Sequence, residues 1–241
     1  MPPIKRPVTA ATITRKTAAV PRKTRAPAVR SAASTSRRRR QIEDKRSVIL
    51  DAALGLFSRF GLHGTSLDQV ATRADVSKSN LLYYFASKEA LYVQVLRDLL
   101  AVWLAPFRGF SANQDARQVI ADYIRTKLVL ARDRPEASRL YCMEMLQGAP
   151  LLRDELQREL RELVAHKSKV IQAWIASGQL TPVDPHTLIF MLWASTQHYA
   201  DFSVQVEVIA GRTLDDPEFF EQTVENLQRI VLQGITPPSA G

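Results

Sequence analysis

The sequence predicts an all-α protein: a three-helix N-terminal head of helix-turn-helix type, followed by a larger helical domain. Three observations carry this. Apolar residues recur at the i, i+3, i+4, i+7 spacing of one helix face in segment after segment, and residues 87–236 contain no strand-like alternation. Pro106, Pro135, Pro150, Pro182, Pro185 and Pro217 fall between or at the starts of those segments, where a residue without a backbone N–H is tolerated. Finally, Thr65–Lys88, TSLDQVATRADVSKSNLLYYFASK, packs two short helical patterns around a tight turn.

The first 40 residues stand apart. They hold twelve of the chain's 33 Lys and Arg and no Asp or Glu, which leaves 21 basic against 24 acidic residues over 41–241, a net of −3. The overall +9 is therefore the property of a tail. With five prolines, many Ala, Ser and Thr, and few large apolar side chains, residues 1–40 are expected to be disordered, because they bury too little surface to offset ordering entropy. Three accounts of the tail compete. It can attract DNA by counterion release. It also has the Arg-rich, acid-free composition of a transit peptide, although its prolines oppose the amphipathic helix such a segment needs. Or it is an inert extension. Attraction to DNA is the preferred account.

Within 41–86, the head, Ile49, Ala52, Ala53, Leu56, Phe57 and Phe60 share one face of a first helix, which Gly61 and Gly64 end. Thr65 is placed to cap the second helix, with Asp68 three residues on in the manner of a capping box, and Leu67, Val70, Ala71 and Ala74 form its apolar stripe. Ala74-Asp75-Val76 turns the chain. Ser77 then caps a third helix of about two turns with Leu81 and Phe85 on its inner face, leaving Lys78, Ser79, Asn80 and Tyr84 pointing elsewhere. In such a pair the second helix enters a major groove, where Lys and Asn can reach guanine and adenine edges. A helical hairpin with a solvated polar face fits the same pattern.

Residues 87–236 should form six helices, near 87–105, 113–133, 135–147, 150–177, 184–211 and 216–234, with 237–241 a flexible end. No run reaches the 18 apolar residues of a membrane span, so a soluble chain is expected. The single Cys142 excludes an intrachain disulfide, fits a reducing cytosol, and reads as a small buried hydrophobe. His63, His166, His186 and His198 are scattered without metal-ligand spacing, and no glycine-rich phosphate loop is present, so neither catalysis nor a metal or cofactor is expected. His198 and Asp201, at i and i+3, read as a hydrogen-bonded pair in a packing layer.

The second domain also embeds a few polar and aromatic groups in very apolar helices. Trp103 ends the fourth helix, and Trp193 and Gln197 lie four apart, hence on one face, in LIFMLWASTQ. Two indole walls and a carboxamide suit a planar amide such as a pyrimidine. On the residues alone, two core tryptophans and a glutamine bonded to a backbone carbonyl are the preferred reading.

The stretch FSRFGLHGTSLDQVATRADVSKSNLLYYFASKEALY resembles the DNA-binding domain of the TetR family of one-component repressors: a first helix ending in an aromatic and Gly, a Thr, the A-x-V-S turn, an L-x-x-F recognition helix, and SKEAL opening a fourth helix. Asp75 stands where most members have Gly, Leu82 replaces the common Tyr, and Ser79 a frequent Gly, so base preferences do not carry over. Beyond the head, LAVWLAPFRGF, RPEASRLYCMEMLQGAPLL, DPHTLIFMLWASTQHYADFSVQV and FFEQTVENLQRI resemble those members that regulate pyrimidine utilisation, over essentially all of residues 41–236. The resemblance implies phosphate contacts from Thr65, Tyr84 and Lys88, and base-reading candidates in Lys78, Ser79, Asn80 and Tyr83. It implies uracil or thymine bound by Trp103, Trp193 and Gln197, which reverses the preference for core tryptophans. It also implies a homodimer on double-stranded operator DNA, assembled through 184–211 and 216–234. Phe219, Phe220, Val224, Leu227, Ile230 and Val231 form a stripe that suits either that interface or packing within the chain. A TetR-like repressor sensing a purine or another small planar amide, and a non-inducible architectural DNA-binding protein, are the rival expectations.

Overall fold

The structure, a computed structural model, describes residues 32–237. Every regular element among them is helical. The chain falls into two units, residues 1–40 and 41–241. In the first, the expected disorder over residues 1–31 lies outside the described residues. From Ala32 onward the chain is helical, so helix α1 spans Ala32–Gly64 rather than starting near Ile42. The physical reason is composition: AASTSRRRR has no Pro or Gly and is rich in Ala and Arg, two of the best helix formers.

The second unit contains two cores. In the first, Ile49, Ala53 and Phe57 of α1 pack on Val70 and Ala71 of α2 (Leu67–Arg73) and Leu81 of α3 (Lys78–Tyr84). Helix α4 (Lys88–Arg108) supplies Leu91, Tyr92, Val95, Leu96 and Leu99 to the same core, joined by Ala137 and Leu140 of α6 (Pro135–Leu146). The second core takes Phe107 from the far end of α4. To it are added Ile120, Ile124 and Leu128 of α5 (Ala116–Asp133), and Ile171 and Trp174 of α8 (Arg161–Ala176). Leu188, Ile189 and Leu192 of α9 (Pro185–Asp201), and Phe220, Val224 and Val231 of α11 (Pro217–Ile235), complete it. One helix, α4, therefore has a foot in each core.

Several boundaries depart from expectation. Ser66, not Thr65, caps α2: its hydroxyl accepts from Gln69 N (3.2 Å) while its own N–H donates to Gln69 Oε1 (2.8 Å). The pairs Thr65/Asp68 and Ser66/Gln69 both satisfy the capping pattern, and the one-residue shift frees Thr65 to donate to the Gly61 carbonyl (2.9 Å) and close the end of α1. Gly61 itself breaks α1 with φ +67°. Pro106 sits inside the last turn of α4 rather than beyond its end. The single helix expected over 150–177 is a short turn, α7 (Arg153–Glu155), then a π-helical turn Leu156–Leu160, then α8. The expected helix 184–211 breaks at Phe202 into α9 and α10 (Ser203–Ala210), and Gly211 in the left-handed region ends it.

The stretch Lys88–Arg108 has the length and mean hydropathy of a membrane span, although Gln94, Arg97 and Asp98 keep it from being a continuous apolar run. Nine of its residues, from Leu91 to Phe107, are buried, six of them in the two cores, while Leu100, Trp103 and Leu104 line a cavity.

Candidate functional site

The turn before α3 closes as a Schellman motif. Val76 N donates to Ala71 O (3.0 Å) and Asp75 N to Thr72 O (3.3 Å), with Asp75 at φ +51° in the position that favours glycine. Ser77 caps α3 by accepting from Asn80 N (3.1 Å). Leu81 and Phe85 are buried beneath it, so the helix is held by one face and offers the other.

On the offered face Lys78 and Ser79 are exposed, Asn80 is half-buried, and Tyr83 is 73% exposed with the half-buried Tyr84 edge-on to it at 5.2 Å. Lys78 Nζ is paired with Asp68 Oδ2 at 2.8 Å, so it meets a base only by leaving that carboxylate. Leu82, 41% exposed beside Tyr83, belongs to this face too, although a leucine on a helix reads first as core. Two predicted phosphate contacts are placed differently. Thr65 is buried with its hydroxyl committed to Gly61, and Lys88 Nζ donates to the Thr65 carbonyl at 3.0 Å. The pair ties the start of α4 to the start of α2.

The three predicted pocket residues converge. Trp103, Trp193 and Gln197 line one cavity together with Leu99, Leu100, Leu104, Lys127, Tyr141 and Leu160, the last carried in by the π-helical turn. The cavity holds about 420 Å³ of empty space counting the part open to solvent, of which about 40 Å³ accepts the centre of a water molecule. At roughly 10–15 Å³ per water on that measure, the space is that of about three or four waters. The indole N–H of Trp193 donates to the Tyr123 hydroxyl (2.7 Å), which fixes the ring as a wall. Gln197 makes no hydrogen bond to any described residue, so the alternative of a backbone-bonded amide is not what the geometry presents.

Lys127 was not among the predicted residues. It is 3% exposed, and its Nζ lies 3.7 Å from the centre of the Trp103 ring. Burial lowers its pKa to about 7, opposed by the negative charge of Asp201. The signal was present: Ile120, Tyr123, Ile124, Lys127, Leu128 and Ala131 share the apolar stripe of α5, with the lysine at a core position. Asp201 itself accepts from Ser138 and lies beside the half-buried Cys142, whose thiol pKa is raised chiefly by burial. It does not pair with His198, which stacks on Phe202 at 5.1 Å. Among the described residues no cluster of His, Cys, Asp and Glu could hold a metal ion.

Residues 49–95 match the family described as bacterial regulatory proteins, tetR family, and residues 96–238 match the YcdC-like protein C-terminal region. The chain belongs to the TetR family. Among its TetR-type relatives, the HTH-type transcriptional regulator RutR of Escherichia coli K12 is 57% identical over 204 residues, 85% of this chain and 96% of that protein. The HTH-type transcriptional dual regulator CecR of Shigella flexneri is 25% identical over 82% of this chain and 95% of its own. A TetR family transcription regulator from Marinobacter aquaeolei VT8 shares the fold, with a TM-score of 0.65 at 20% identity over 83% of this chain and 100% of that one. This TetR-family chain is a transcriptional regulator with a helix-turn-helix DNA-binding domain, and not an enzyme.

Proposed function

We propose that this regulator acts in the cytoplasm as a homodimeric repressor of pyrimidine-utilisation genes and leaves its operator when uracil or thymine enters the cavity. The observation that carries the reading is Gln197: a carboxamide with no hydrogen-bond partner among the described residues, lining a small cavity walled by Trp103 and Trp193. A primary amide offers an acceptor and donors side by side, the complement of adjacent C=O and N–H groups on a pyrimidine ring, while the indoles cover its faces. The 57% identity to RutR supports it, because the resemblance to pyrimidine regulators spans the effector domain as well as the head.

Release follows from α4. It starts at Lys88 against the head and carries Trp103 at the cavity, so a ligand that favours one tilt of this rod shifts the recognition helices of a dimer away from the roughly 34–36 Å half-site spacing. The dimer surface is supplied by Phe190, Met191, Val204, Val208, Ile209 and Ile230, all exposed on α9, α10 and α11. Phe220, Val224 and Val231 of the expected stripe pack within the chain instead.

Calorimetry tests the reading: uracil should bind the full chain, and Gln197→Ala should weaken it by about tenfold, or 1.4 kcal/mol. Unchanged affinity sinks the assignment. A purine that binds more tightly than uracil moves the reading to another planar amide, and a full chain that no nucleobase stabilises in a thermal-shift screen returns it to an architectural DNA-binding protein.

A further inference from the structure

We propose that Lys127 determines the specificity of the cavity: its ammonium donates to a second ring carbonyl of the ligand, beyond the edge read by Gln197, so that the site selects cyclic imides over aminopyrimidines. The proposal rests on the pyrimidine reading above and adds a residue to it. Lys127 lies on α5 and Gln197 on α9, and both are among the nine residues that line the cavity. An ammonium has three donors and no acceptor. Among the described residues no carboxylate lies within 4.0 Å of this one, and no oxygen accepts a hydrogen bond from it. What it has is the face of Trp103 and the cavity.

Burying such a group without acceptors is costly, and a ring face compensates only in part. A ligand carbonyl in the cavity supplies the missing acceptor at the moment of binding. While the lysine is charged, an exocyclic amino group in the same place opposes N–H to N–H, with no acceptor on either side. A buried donor left facing a donor is the arrangement by which binding sites reject near-isosteres most strongly.

The surroundings define how the lysine titrates. From the end of α9 it feels Asp201, which is itself bonded to Ser138 of α6, near Cys142 and Arg139. Tyr141 of α6 lines the same cavity with its pKa raised by burial, and Tyr123 on α5 is committed to Trp193 with its pKa raised by burial as well. Of these groups Lys127, its pKa lowered by burial to about 7, is the one whose loss of charge in the neutral range removes a donor proton from the cavity. Uracil binding that uses the ammonium must therefore weaken as pH rises through that range.

The experiment is calorimetry of uracil and of cytosine on the full chain and on Lys127→Met and Lys127→Gln, at pH 6 and pH 8.5, with a thermal melt to verify folding. The expected result for the unsubstituted chain is a preference for uracil of about 30-fold or more, with uracil affinity falling about tenfold between the two pH values. Lys127→Met should lose uracil affinity by about tenfold, bring the two bases within about threefold of each other, and show no pH dependence. Lys127→Gln, whose amide can turn either a donor or an acceptor to the ring, should bind both bases at either pH; it serves alone if the methionine variant does not fold. Retained preference and a retained pH slope in these variants overturn the role of Lys127 while leaving the pyrimidine reading intact. An unsubstituted chain that binds neither base overturns both.

Discussion

The hydroxyl of Tyr92 donates to the Glu144 carboxylate at 3.1 Å, and the other oxygen of that carboxylate accepts from Leu151 N at 2.9 Å. Both residues are buried, and the Tyr92 ring stands edge-on to Phe57 of α1 at 5.0 Å. Helix α4 thus carries Tyr92 at the head and Trp103 at the cavity, while α6 carries Glu144 at the head and Tyr141 at the cavity. The bond joins α4, the helix with a foot in each core, to α6, which lines the cavity at Tyr141.

Tyr92→Phe keeps the ring and its contact with Phe57 but removes the bond, and leaves a buried carboxylate short of a partner, a loss of about 1–3 kcal/mol. Uracil affinity measured by calorimetry should stay within about twofold. The loss of operator affinity caused by saturating uracil should shrink by about fivefold or more, the lower range of an allosteric coupling. Full induction in the variant assigns the coupling to other contacts.

Asp75 holds φ +51° because its side chain is short and polar, and the left-handed region still costs a residue with a Cβ about 1 kcal/mol. Asp75→Gly should therefore stabilise the chain by about that amount, and Asp75→Ala should lower stability by a similar amount, since alanine has the Cβ without the local hydrogen bonding. Urea unfolding reads both. A glycine variant less stable than the original would show that the aspartate carboxylate holds the turn.

The all-helical class and the turn at Asp75 are legible in the sequence because both rest on local rules: the 3.6-residue period and the few residue types that accept positive φ. The cap at Ser66 is not, because two overlapping pairs satisfy one pattern and the choice is made by Thr65 closing α1. The break at Phe202 is equally hidden, since the apolar period continues across it and Asp201, the last residue of α9, takes its side-chain partner Ser138 from another helix. Trp103 of α4 and Trp193 and Gln197 of α9 line one cavity. Lys127 escapes a reading in which charge means surface, although its place in the α5 stripe marks it as buried.

On operator DNA, Asn80 and Lys88 should separate cleanly. Asn80 lies on the offered face of α3, so Asn80→Ala should relax sequence preference by about 1–3 kcal/mol at one base position. Lys88 braces the Thr65 carbonyl, so Lys88→Ala should weaken every sequence alike by loosening α2 against α4. Binding titrations over single-base operator variants distinguish them. Equal loss of selectivity in both variants refutes this sorting.

Val208 and Ile209 are 80% and 78% exposed on α10, an arrangement that water disfavours unless a second copy covers it. The pair Val208→Glu and Ile209→Glu should convert a dimer to a monomer in light scattering, and abolish operator binding while leaving the melting temperature of the monomer nearly unchanged. A dimer that survives both substitutions places the interface elsewhere.

Stability should depend on pH through Lys127. Its folded-state pKa of about 7 lies below the ordinary lysine value of 10.5, so between those two values the unfolded chain binds more protons than the folded one. Stability therefore rises with pH across that window, and below pH 7 the cost of the buried ammonium is carried in full. At 1.36 kcal/mol per pKa unit the contribution amounts to a few kcal/mol. Lys127→Met, which fills the same space without a charge, should stabilise the ligand-free chain at pH 6 by about that amount, and by progressively less toward pH 10. Denaturant unfolding across this range reads the difference between the two curves, and a gap that stays constant with pH would mean that the ammonium is solvated through the open side of the cavity.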